Sequence, residues 1–183
     1  FRSASAFNQP IGGWNVSAVT SMSRMFLGAS SFNQSIINWN TSSVLNMEYM
    51  FNGAGSFNHD IGQWNTSAVI NMAHMFRTAS AFNQDIGNWD TSSVANMTFM
   101  FHGANAFNQN VSDWNVSAVT NMSNIFQDAN ALSSSNKGKI HTTFSTNQNW
   151  PYDWSAFVTY SPITDANFTT AINLWFSDEA NAT

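Results

Sequence analysis

Ten Asn-x-Ser/Thr triplets are the groups in this chain whose type and spacing suit a known covalent chemistry, attachment of an N-linked glycan to the asparagine amide. They begin at Asn15, Asn33, Asn40, Asn65, Asn96, Asn110, Asn115, Asn121, Asn167 and Asn181. Asn15, Asn40, Asn65 and Asn115 occupy one position that recurs at multiples of 25 residues, and Asp90 stands at that position in the remaining copy. An aspartate takes no glycan but suits a helix cap or an Asx turn, so the position also reads as a turn former. Glycans on neighbouring coils ~4.8 Å apart would crowd each other. The expectation is a glycoprotein in which some triplets are occupied but not every member of that series.

Other reactive constellations are sparse. Asp60 and Asp85 share a repeat position and would suit a Ca2+ ion, but Pro10, Ser35 and Asn110 at the same position break any repeated ligand set. His59, His74, His102 and His141 fall at unrelated positions, against both a metal cluster and a charge relay. The chain has no cysteine, and neither a Gly-rich phosphate loop nor a nucleophile elbow is present. The reading is no catalytic residue, no metal and no cofactor, hence not an enzyme. Only 8% of residues are charged, the formal net charge is -5, and the basic residues Arg2, Arg24, Arg77, Lys137 and Lys139 are scattered. That argues against nucleic acid as a partner. No apolar run nears the ~18 residues of a span, so membrane insertion is not expected. Solubility carried by Asn, Ser and Thr instead of charge suits an extracellular or cell-surface setting.

Those groups must be positioned by a repeat. Phe1, Phe26, Phe51, Phe76, Phe101 and Phe126 are spaced by 25 residues. Further columns keep the register: Phe7 to Phe107 ending in Leu132, Ile11 to Val111, Trp14 to Trp114, Val19 to Val119, Met22 to Met122, and Met25 to Ile125. A fixed period in this range predicts a solenoid with one coil per repeat and like residues stacked on like. Val19, Met22, Met25, Phe26 and Ala29 lie on one face of a short helix, with Ser17 or Asn15 as cap and Gly28 as stop; an extended Val19–Met22 followed by one helical turn is the alternative. The Ile11–Trp14 segment reads as a short strand pairing in parallel with its copies. The expected fold class is therefore an α/β solenoid, leucine-rich-repeat-like, of short parallel strands and short helices. The Met columns read as core, and Asn8, Asn33, Asn58, Asn83 and Asn108 as a ladder satisfying turn backbone or as a ligand row.

The period holds over residues 1–132 and stops over 133–183, which reads as a C-terminal cap or inter-array spacer. There, Ile140 with Phe144, and Phe168 with Ile172 and Trp175, mark two amphipathic stretches around an aromatic turn at Trp150–Trp154. The first repeat begins at Phe1, so its Phe1 and Phe7 would lie on an open apolar end, and the far segment carries Trp150, Trp154, Phe157, Phe168 and Trp175. Two unlike apolar ends make a heterologous contact, so these residues are the candidates for head-to-tail assembly with copies of the chain or with adjacent modules.

The consensus Val-x-x-Met-x-x-Met-Phe-x-x-Ala-x-x-Phe-Asn-Gln-x-Ile-x-x-Trp-Asn-x-Ser resembles the BspA-like leucine-rich-repeat surface proteins in their Met- and Trp-rich 25-residue variety. The resemblance covers residues 1–132, and the stretches Asn149–Trp154 and Ala171–Phe176 look like the spacer between successive arrays. It implies a solenoid at the cell surface in an adhesive or structural role, and transfers no catalytic residue. The functional expectation is a non-enzymatic extracellular structural module of a surface layer, stalk or filament. Its rivals are an adhesion or carbohydrate-binding solenoid, with glycans as partners, and ice binding, for which the row Val16, Thr41, Thr66, Thr91, Val116 is irregular at both ends.

Overall fold

The computed structural model describes residues 1–159. Their regular elements are one α-helix, α1 (Ser134–Phe144), and a 3-10 turn at Ser155–Phe157. The expected α/β, leucine-rich-repeat-like solenoid does not form. No strand and no sheet occurs among the described residues, and the coils carry only isolated parallel bridges, Ser21 to Asn46 to Asn71 to Asn96 to Asn121. The second amphipathic stretch, 168–175, lies outside the described residues.

Turns replace both expected elements. Each apolar pair at i and i+3 closes a turn: Trp14 N–H donates to the Ile11 carbonyl at 3.1 Å, Val19 to Val16 at 2.9 Å, Met25 to Met22 at 3.2 Å and Phe32 to Ala29 at 3.0 Å. The supposed helix at 19–29 is broken because Arg24 and Gly28 have φ of 60° and 70°. Those left-handed residues stand third in the turns 22–25 and 26–29, where a type II turn requires positive φ. A helix would spend its N–H groups on its own carbonyls. Here the N–H groups of Met22, Arg24, Phe26 and Gly28 donate instead to Asn46, Glu48, Met50 and Asn52 of the next coil, at 2.7–2.9 Å. The same offset recurs in each following coil through Gly103 to Gln127.

Side chains hold the corners. Asn15, Asn40, Asn65, Asp90 and Asn115 each accept the backbone N–H two residues on, at 3.0–3.1 Å, and Asp60, Asp85, Asn46, Asn71 and Asn96 do the same at 2.8–3.0 Å. These are Asx turns, in which a short side chain substitutes for a backbone acceptor. The ladder Asn8, Asn33, Asn58, Asn83 accepts from the N–H of the equivalent asparagine in the next coil, at 2.8–3.1 Å.

The apolar columns meet along the axis of the stack. Phe26, Phe51, Phe76, Phe101 and Phe126 follow one another at 5.5–5.6 Å between ring centroids, and Phe26, Phe51, Phe76 and Phe101 each lie 4.0–4.1 Å from a second Phe of their own coil. The buried indole N–H groups of Trp39, Trp64, Trp89 and Trp114 donate to the carbonyls of Ile11, Ile36, Ile61 and Ile86 in the preceding coil. Each of these carbonyls also accepts the turn N–H of the Trp in its own coil, so the indole bond is a second one. It gives the buried indole N–H its partner and ties one coil to the next.

The two ends differ. In the first coil Trp14 is 50% exposed and Phe1 38%, whereas Trp64 is 4% exposed. At the other end Phe144, Trp150 and Trp154 pack on Phe126. The Tyr152 hydroxyl accepts from Phe126 N–H at 3.1 Å, in the place that the next coil's carbonyl takes elsewhere. Ser133, the N-cap of α1, stands where the asparagine ladder would continue and donates its N–H to Asn108 Oδ1 at 3.0 Å.

Candidate functional site

Of the glycan-acceptor candidates, Asn15, Asn33, Asn40, Asn65, Asn115 and Asn121 are exposed, and Asn96 and Asn110 are half-buried. Asn167 and Asn181 lie outside the described residues. The amide oxygens of Asn15 and Asn65 also accept the hydroxyls of Ser17 and Ser67, each at 2.7 Å, and Asp90 accepts that of Ser92 at 2.6 Å. These bonds, with the Ser92 N–H, hold the Asp90 carboxyl below the usual carboxylate range. The column is thus first a set of corners. Asn33 belongs to the ladder, donating to Asn8 and accepting from Asn58.

The assembly candidates separate into two groups. Phe1 stacks on Phe7 at 3.8 Å and, with Trp14, forms the outward face of the first coil. The carbonyls of Ser21 and Ser23 on that coil, equivalent to the bonded Asn46 and Glu48, receive no backbone donor among the described residues. Trp150 and Trp154 are half-buried against Phe126, and Phe157 lies 5.5 Å from the Lys137 ammonium, so much of this aromatic surface is spent on closing the stack. Phe168 and Trp175 lie outside the described residues.

The Thr row is internal. Thr41, Thr66 and Thr91 are 1% exposed and donate their hydroxyls to the carbonyls of Asn65, Asp90 and Asn115 at 2.9 Å. It therefore presents no hydroxyl face to ice. No group of three His, Asp or Glu side chains suited to a metal occurs among the described residues.

Column arithmetic applied to the charged residues reveals a strip that sequence reading passed over. Arg24, Tyr49, His74 and Phe99 share one column, and Arg2, Arg77 and His102 share another three positions on. The Arg24 guanidinium lies 4.9 Å from the Tyr49 ring centre, Tyr49 stacks on His74 at 4.3 Å, and His74 on Phe99 at 5.2 Å. Arg77 lies 5.6 Å from the Phe99 ring centre. Arg24 pairs with Glu48 at 3.5 Å, and His102 lies 3.6 Å from Asp128. Tyr49, His74, Arg77, Phe99 and His102 are all half-buried. Burial, then the Arg77 guanidinium, holds the His74 imidazole below its ordinary value. A polar cleft of about 450 Å³ lies elsewhere, between Val119 and Asn147 where the last coil meets the cap.

This turn-built stack belongs to the family described as Mycoplasma protein of unknown function, DUF285, whose model matches residues 1–84 and 59–157. No curated protein and no solved structure matches the chain.

Proposed function

We propose that the chain is a non-enzymatic structural module of an extracellular or cell-surface assembly, lengthened by joining another module at the open face of its first coil. The observation that supports this reading is the bonding between coils, which repeats at a constant offset along the stack, so each coil makes a rod one layer longer. α1 and Tyr152 cover the last coil, and Phe1, Phe7 and Trp14 lie on the outward face of the first, whose Ser21 and Ser23 carbonyls receive no backbone donor among the described residues. The joined module is a neighbour in one longer chain or a second copy whose cap meets this face.

Sedimentation of the purified chain over a wide concentration range, with hydrogen exchange of residues 1–25, tests the proposal. Concentration-dependent association that protects the first coil and is lost in Trp14→Asp is the expected result. A monomer at every concentration, with the first coil fully protected, would overturn it.

A second reading, adhesion to a carbohydrate, draws support from the half-buried strip in which Arg77 lies beside the row Tyr49, His74, Phe99.

A further inference from the structure

Resting on the adhesion reading, we infer that the patch around Arg77 recognises the carboxylate of an acidic polysaccharide. The ring faces of His74 and its neighbours are covered by one another, at 4.3 and 5.2 Å, so the row offers its ring edges to the outside. A sugar ring stacks on an aromatic face, and that mode is closed here. Ring edges carry the positive end of the quadrupole and therefore favour an anionic oxygen.

Arg77 supplies the charge. Arg24 on the same strip has Glu48 as its partner, but the Arg77 guanidinium has no carboxylate and no hydrogen-bond acceptor among the described residues. It lies over Phe99, which restricts its motion and lowers the entropy lost when a planar anion docks. A guanidinium presents paired N–H donors that match a carboxylate. The rings of His74 and His102 lie beside it with their Nδ1 atoms buried, and His102 Nε2 faces the Asp128 carboxylate at 3.6 Å, so the charge and the free donors of the patch are those of Arg77. The chain is acidic overall, so net charge gives a polyanion no general attraction and recognition falls to the local contact at Arg77.

The test is binding of the full chain to immobilised polygalacturonate and to dextran, for the wild type, Arg77→Gln and the charge-matched Lys139→Gln on α1. The wild type is expected to bind polygalacturonate and not dextran. Arg77→Gln should lose about tenfold in affinity, the order expected for a charge-assisted hydrogen bond, with unchanged thermal stability, and Lys139→Gln should bind as the wild type. Equal binding to both polymers would overturn the acidic preference while leaving carbohydrate adhesion standing. Binding to neither would remove both. Equal losses in the two variants would show diffuse electrostatics and overturn the assignment to Arg77.

Discussion

Trp64 is 4% exposed, lies 6.4 Å from Trp39 between ring centroids, and donates its indole N–H to Ile36 at 3.2 Å. Removing the ring leaves a cavity with a coil fixed on either side, so Trp64→Ala is expected to cost about 3–5 kcal/mol. Trp64→Phe retains much of the apolar volume and removes one of the two bonds to the Ile36 carbonyl, which keeps the Trp39 N–H at 3.2 Å, so it should cost about 0.5–1.5 kcal/mol from that bond. Trp14→Ala should cost much less, because that side chain is 50% exposed. Urea melts of the three variants separate these effects, and equal losses at Trp14 and Trp64 would refute the dependence on a covering coil. The inward columns were legible because Phe, Trp and Met recur at an unvarying spacing. The strip is less legible, because Arg2 and Arg77 share a column but stand three repeats apart, with Leu27 and Asn52 at the positions between them.

At the scale of the element, spacing of i and i+3 is common to a helix face and to a run of turns, and apolar pattern alone does not separate them. What decides is the left-handed residue in each coil. Arg24, Tyr49, His74, Phe99 and Asn124 all have φ between 54° and 60°. Bulky residues seldom adopt that conformation, so most of the column gave no warning of a turn. Their stacked rings and the bonds to the next coil offset the strain. His74 sits inside that stack with its proton affinity lowered by burial and by Arg77. The unfolded chain then binds the proton more readily, so the His74 contribution is intact above about pH 6.5 and is lost as pH falls through the lower folded value. His74→Phe keeps a ring between Tyr49 and Phe99 and removes that proton. Thermal melts at pH 7 and pH 5 should show a smaller loss for the variant than for the wild type, and identical losses would exclude this origin.

The cap obeys the opposite sign. Burial raises the Tyr152 hydroxyl above its ordinary value, while the bond from Phe126 N–H pulls the other way. Its neutral form is favoured in the folded chain, so its contribution is present below about pH 10 and falls as pH rises through the folded value. Tyr152→Phe should lower stability at neutral pH, because Phe126 N–H loses its acceptor, and should flatten the alkaline limb of a stability–pH curve. An unaltered limb would show that another group titrates there.

For the whole molecule, stability is a sum over interfaces between like coils, each bonded at the same offset. Removing residues 51–75 joins Met50 to Phe76, which occupies the column of Phe51, so every remaining residue keeps its column. That deletion is expected to fold, with unfolding still cooperative and a denaturant slope reduced in proportion to the surface lost. Removing residues 51–76 instead places Arg77 where Phe51 stood and shifts each later column by one. Phe, Trp and Met then leave the axis together, and the donors of one coil no longer face the carbonyls of the next. Near-ultraviolet circular dichroism from the stacked Trp and Phe rings, followed through a urea titration, distinguishes the two chains. The in-register deletion should retain the signal and a single transition, and the other should lose both. Equal behaviour of the two would mean that the coils do not stack by register, which is the premise on which the open-face assembly and the Arg77 patch both depend.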